Sequence, residues 1–125
     1  MQTTQKSPRI IHFSWGRLQV EGINKTFKDA KLFPGGAREW DWNETSTSHG
    51  SGIQPADAKE LLDKGASVIV LGKGVNGRLN VSPETLRMLD KKGIPSHVLQ
   101  TEEAVKLYNK LCTEQLVGGL FHSTC

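Results

Sequence analysis

VIVLGKGVNG, residues Val68–Gly77, is the stretch that decides the fold. Val68–Leu71 is an unbroken apolar run, and three of its four residues are β-branched. Such a run suits a strand buried on both faces of a sheet. Gly72-x-Gly74-x-x-Gly77 follows, a spacing that resembles the fingerprint cradling a dinucleotide pyrophosphate. In that fold a helix starts within the glycine loop and points its free amides at the phosphates. Here Arg78–Val81 intervene, and the helix start falls at Ser82-Pro83-Glu84. Ser82 as N-cap occupies its own helix's orphan donors, and Pro83 has no N–H. No acid stands at the end of the next strand before Glu102, and no Gly-Lys-Ser/Thr closes the motif. The glycines therefore read as a turn at the carboxyl end of a buried strand. That is also where α/β folds gather ligands, so Gly72 and Gly74 remain candidates for a small-ligand pocket.

Outward from this stretch the pattern alternates. Upstream, Gln54-Pro55-Ala56-Asp57 opens a helix with Ala58, Leu61 and Leu62 as its apolar stripe, and Gly65 ends it. Downstream, the helix from Ser82 carries Leu86 and Leu89 and stops at Gly93. His97–Leu99 is a short strand. Thr101-Glu102-Glu103 caps a third helix, with Val105, Tyr108, Leu111 and Cys112 at helical spacing. Leu116–Phe121 is the last strand. The first third is β-rich instead: Ile10–Trp15, Arg17–Glu21, Thr26–Phe33 and Arg38–Trp42, joined by turns such as Pro34-Gly35-Gly36. Strands alternating with helices imply crossover connections and helices packed on a sheet.

The 125 residues suit one domain, with residues 1–9 a loose tail and residues 10–125 the folded unit. Only two cysteines are present, Cys112 and Cys125, so the chain is no disulfide framework. The net charge of +3 is spread along the sequence, without the clustered cations of a nucleic-acid footprint. No apolar stretch approaches a membrane span, and MQTTQKSPR has neither an apolar signal core nor the length and arginines of a mitochondrial presequence. These features point to the cytosol.

Several residues are candidates for chemistry, each with a plainer role beside it. Glu44 and His49 share one polar loop and could act as an acid–base pair, although Thr45–Ser48 suit a loop that bonds its own backbone. His122-x-x-Cys125 supplies two potential metal ligands, short of the four of a structural site. Trp40 and Trp42 stand two apart on one strand face, either as a buried row or as a partner surface.

Pro34-Gly-Gly-Ala-Arg-Glu-Trp-Asp-Trp-Asn-Glu-Thr, Gly52-Ile-Gln-Pro-Ala-Asp, Val98-Leu-Gln-Thr-Glu-Glu-Ala-Val and Gly118-Gly-Leu-Phe-His-Ser-Thr-Cys carry a resemblance. In register over residues 11–125, they resemble the adipogenesis-associated Mth-type domain family, shared with small archaeal proteins and a mitochondrial complex I assembly factor. The resemblance implies a three-layer α/β domain with a central mixed sheet, helices on it and an N-terminal β-rich unit. It also implies a cytoplasmic, non-catalytic role promoting fat-cell differentiation through a protein partner, as a monomer or weak dimer. It calls for no cofactor, metal, nucleic acid or membrane. The alternatives are a small-ligand protein or enzyme using the Gly72–Gly77 loop with Glu44 and His49, and complex I assembly, which needs an import sequence.

Overall fold

The computed structural model describes residues 6–125. Three short strands come first: β1 (Ile10–Ser14), β2 (Arg17–Val20) and β3 (Thr26–Phe27). They form one antiparallel sheet in that order. A hairpin of β4 (Asp29–Phe33) and β5 (Gly36–Glu39) follows, then a single 3-10 turn at Trp42–Glu44. The second half alternates as α1 (Pro55–Asp63), β6 (Val68–Gly72), α2 (Pro83–Lys91), β7 (Ser96–Leu99), α3 (Thr101–Cys112) and β8 (Val117–His122).

The main sheet has the order β5-β4-β8-β6-β7. β6 runs parallel to β7 and β8, whereas β4 is antiparallel to β5 and β8, so the sheet is mixed. The chain steps from β6 outward to β7, then back past β6 to β8. Right-handed crossovers in opposite directions put their helices on opposite faces. α2 accordingly lies on one face with α1, and α3 covers the other with the small sheet.

Period-two alternation assigns the side chains to these faces. Val68 and Val70 of β6, Ala30 and Leu32 of β4 and Phe121 of β8 pack with Tyr108 and Ala104 of α3 and Leu18 of β2. Ile69, Leu71 and Leu120 point the other way, toward Leu61 of α1 and Leu89 of α2. Every residue of β6 is buried, as its unbroken apolar run requires. Gly65 and Gly93, at φ +102° and +70°, follow α1 and α2 in left-handed conformations.

Four sequence expectations are corrected. Within the assigned tail, Lys6–Arg9 are held to the fold through their backbone: Tyr108 Oη donates to the Pro8 carbonyl at 2.7 Å, Gly35 N–H to Lys6 O and Glu21 N–H to Arg9 O, and Ser7 is buried. Residues 1–5 lie outside the described residues. Thr26–Phe33 is two strands in different sheets, because the chain bends at Lys28. The strand expected over Arg38–Trp42 stops at Glu39. The chain turns there because the Asp41 carboxylate accepts from Asn43 N–H at 2.9 Å and caps the 3-10 turn. The last strand extends to His122, which brings that histidine into the sheet.

Candidate functional site

β4 and β8 pair so that Asp29 lies opposite His122. Alternation turns both toward the α1 face, since their neighbours Ala30 and Phe121 face α3. His122 is buried, and its Nδ1 lies 2.8 Å from Asp29 Oδ1. The Asp29 carboxylate accepts that hydrogen bond, so Nδ1 carries the hydrogen and Nε2 presents a lone pair.

The polar loop after Trp42 brings a second imidazole to this lone pair. Its path is set by Asp57, at the start of α1. That buried carboxylate accepts from Trp40 Nε1 (3.1 Å), Thr45 Oγ1 (2.6 Å), Thr47 Oγ1 (2.5 Å) and Gln54 N–H (2.9 Å). Lys31 Nζ, also buried, is 3.8 Å away and bonds Glu60 at 3.0 Å. A buried charge persists only when bonded this fully. The loop is thus tied to a helix rather than only to itself. His49 stands with its Nε2 3.3 Å from His122 Nε2. No second partner among the described residues fixes the His49 tautomer: with the hydrogen on Nε2 it donates to the His122 lone pair, and with the hydrogen on Nδ1 it sets a second Nε2 lone pair beside the first. Trp42 closes the cluster, with ring centroids 5.0 Å from His49 and 4.8 Å from His122. Its indole Nε1 is buried with no hydrogen-bond partner among the described residues. Beside the cluster is an open depression of about 510 Å³, lined by His49, Arg78, Asn80 and Cys125 with Gly50 and Gly77.

The glycine loop serves this arrangement without offering amides to a ligand. Gly74 has φ +102°, and a Cβ there would collide with the Cys125 carbonyl. Val75 N–H donates to Thr124 O at 2.7 Å, and Asn76 and Arg78 N–H both donate to Cys125 O, at 3.2 and 3.1 Å. Gly74 N–H donates to Thr101 Oγ1 at 2.8 Å. That hydroxyl donates in turn to His122 O at 2.6 Å, so Thr101 works as a brace rather than the helix cap expected of it. Ser82 does cap its helix, accepting from Glu84 N–H at 3.2 Å. Its own N–H goes to Ile53 O at 3.1 Å. The helix that abuts Gly74 is α3, through Thr101 N–H to Gly74 O at 3.0 Å.

The predicted set Glu44, His49, Gly72 and Gly74 does not converge on one pocket. Glu44 bonds Arg38 at 2.7 Å, and Arg38 also grips Glu60 at 2.6 Å. These hydrogen bonds raise the Arg38 pKa and hold the Glu60 carboxyl down at about 2. Gly72 is buried at the end of β6, against Phe121 and Thr101. Only His49 reaches the depression, and its partner is His122 instead of Glu44. Trp40 is 2% exposed, which removes it as a partner surface, and Trp42 is half-buried within the site. Asp29 and Asp57 were not singled out from sequence. A lone Asp opening a strand carries no local mark, whereas Asp57 sat three residues after Gln54, the capping-box spacing. Cys112, at helical spacing with Tyr108 and Leu111, is buried with them, and burial pushes its thiol pKa up.

Leu86 and Val98 are exposed in a depression next to the one lined by His49, so Leu86 is not on the buried face of its helix, and the two most exposed large apolar residues are elsewhere. Ile11 is 64% exposed and Trp15 59%, on and just after β1. β1 is the outer strand of its sheet and, among the described residues, pairs only with β2. Among the described residues no helix is long and apolar enough to cross a membrane.

Comparison with known proteins places this architecture. A conserved hypothetical protein of Pyrococcus horikoshii superposes with a TM-score of 0.77 at 24% identity, over 94% of this chain and 99% of its own. A Bartonella henselae protein titled an outer membrane protein gives 0.74 at 20%, over 98% and 100%. A Bordetella pertussis protein described as a Mth938-like domain gives 0.68 at 17%, over 93% and 85%. At these identities the likeness shows a shared fold. The family described as "Protein of unknown function (DUF498/DUF598)" matches residues 10–122, nearly the whole folded unit, and the chain belongs to that family.

Proposed function

We propose that this protein is a non-catalytic, cytoplasmic regulatory protein that works by binding a protein partner, and that it promotes the differentiation of preadipocytes. The pathway comes from the resemblance to the adipogenesis-associated Mth-type domain proteins. The mode of action rests on one observation, the exposure of Ile11 on an outer strand and of Trp15 in the turn just after it. Tryptophan is enriched at binding hot spots, and Ile11 extends the apolar surface beside it on the outer strand, whose first residue, Ile10, already has its N–H and C=O bonded by the Asn109 side chain. The occupied amides of the Gly72–Gly77 loop agree with a binding role over nucleotide chemistry.

The test is re-expression in preadipocytes depleted of the protein, scored by lipid accumulation and by the proteins recovered with it. The wild-type chain restores differentiation and retains a specific partner. The Ile11→Ser, Trp15→Ala double variant folds, since exposed substitutions usually change stability by about 0.5 kcal/mol or less, but restores neither. Normal differentiation without the protein refutes the pathway. Full rescue by the double variant refutes the surface.

A further inference from the structure

We propose that His49 and His122 form a binding site for a divalent transition-metal ion of the Zn²⁺, Cu²⁺ and Ni²⁺ class, held through their two Nε2 atoms. The geometry carries this. Two imidazole nitrogens on one tetrahedral ion, each roughly 2.0–2.1 Å from it, stand roughly 3.3 Å apart. The two Nε2 atoms are 3.3 Å apart. His122 already has the support that metal-binding histidines use. Its other nitrogen is bonded to the Asp29 carboxylate at 2.8 Å, which fixes the tautomer, orients the ring and makes Nε2 a better donor. Its backbone carbonyl is held by Thr101.

Asp29 also supplies negative charge behind the ligand pair, to offset that of the incoming cation. The Thr124 hydroxyl stands 3.3 Å from His122 Nε2. Trp42, packed on both imidazoles, has a buried N–H with no acceptor among the described residues, a donor that a water carried by the ion would satisfy. Among the described residues no group of three His, Cys, Asp or Glu side chains stands ready to hold a metal. Two protein nitrogens therefore hold the ion, and its remaining positions are left to water. Because His49 also lines the depression with Arg78, Asn80 and Cys125, a small anion or thiol can reach those positions. Binding is thus exchangeable, as befits a sensing or ligand-recruiting site, and it is separate from the surface at Ile11 and Trp15.

The experiment is a Cu²⁺ titration of the full chain followed by electron paramagnetic resonance. His49→Gln and His97→Gln are run alongside, with thermal unfolding of each in the absence of metal. The wild type takes up one equivalent whose spectrum shows coupling to two imidazole nitrogens. His97→Gln keeps that signal. His49→Gln loses it while unfolding at the wild-type temperature, because His49 is exposed. Lack of saturable uptake by the wild type, or persistence of the two-nitrogen signal in His49→Gln, overturns the proposal.

Discussion

At Gly74, just past β6, the chain has φ +102° and passes Thr124–Cys125 so closely that a side chain has no space. Gly22 has a similar φ of +77°, but nothing lies within 4 Å of its hypothetical Cβ. The pair separates two costs. Gly22→Ala pays only for a left-handed backbone, about 1 kcal/mol. Gly74→Ala adds a collision with backbone, and we expect it to lower stability by more than about 2 kcal/mol. Chemical denaturation of both variants checks this, and equal losses would contradict the contact. At this scale the sequence marked His49, Gly72, Gly74, His122 and Cys125 as residues of interest. It could not pair them correctly. Glu44 is five residues from His49 yet bonds Arg38, while His122 is 73 residues away and faces His49 directly. Proximity along a loop says little about which way side chains turn, and the Asp29–His122 pair exists only through strand register.

Among the elements, α1 is fastened to the hairpin of β4 and β5 by charge. Glu60 accepts from Lys31 of β4 and from Arg38 of β5, and Arg38 holds its carboxyl at about 2, below the ordinary 4.5. A carboxylate depressed on folding contributes stability above its unfolded value and loses it as pH falls toward the folded one. Glu60→Gln should therefore be less stable than wild type at about pH 6, and the gap should close as pH is lowered through about 4.5 toward about 2. Urea midpoints for both proteins across that range test it, and a gap independent of pH would contradict the assigned role. Element types were largely legible. Val68–Leu71 had the unbroken run of a strand covered on both faces, and Ser82, Gly65 and Gly93 marked helix ends by their own chemistry. Arg38–Trp42 misled because Trp40 and Trp42 are spaced as in a strand. In fact the Trp40 indole is pulled in by Asp57, and the chain bends at Asp41. The Asp41 cap is local turn chemistry, but the Trp40–Asp57 bond is tertiary and has no local signature.

For the whole molecule, alternating strands and helices announced layers, but not the strand order. That order follows from two crossovers of opposite direction, which put α2 and α3 on opposite faces and β8 between β4 and β6. This placement lets β8 deliver His122 to the loop of His49 and lets Thr124–Cys125 run against the glycine turn. The turn after β6 consequently spends its amides within the protein, which distinguishes it from a dinucleotide site of the same spacing. The most direct measurement is an amide-resolved NMR titration of the full chain with NAD⁺ and with ATP. The account predicts that the Val75, Asn76 and Arg78 amides are protected from exchange and do not shift with either nucleotide. Saturable shifts centred on those three amides would contradict it.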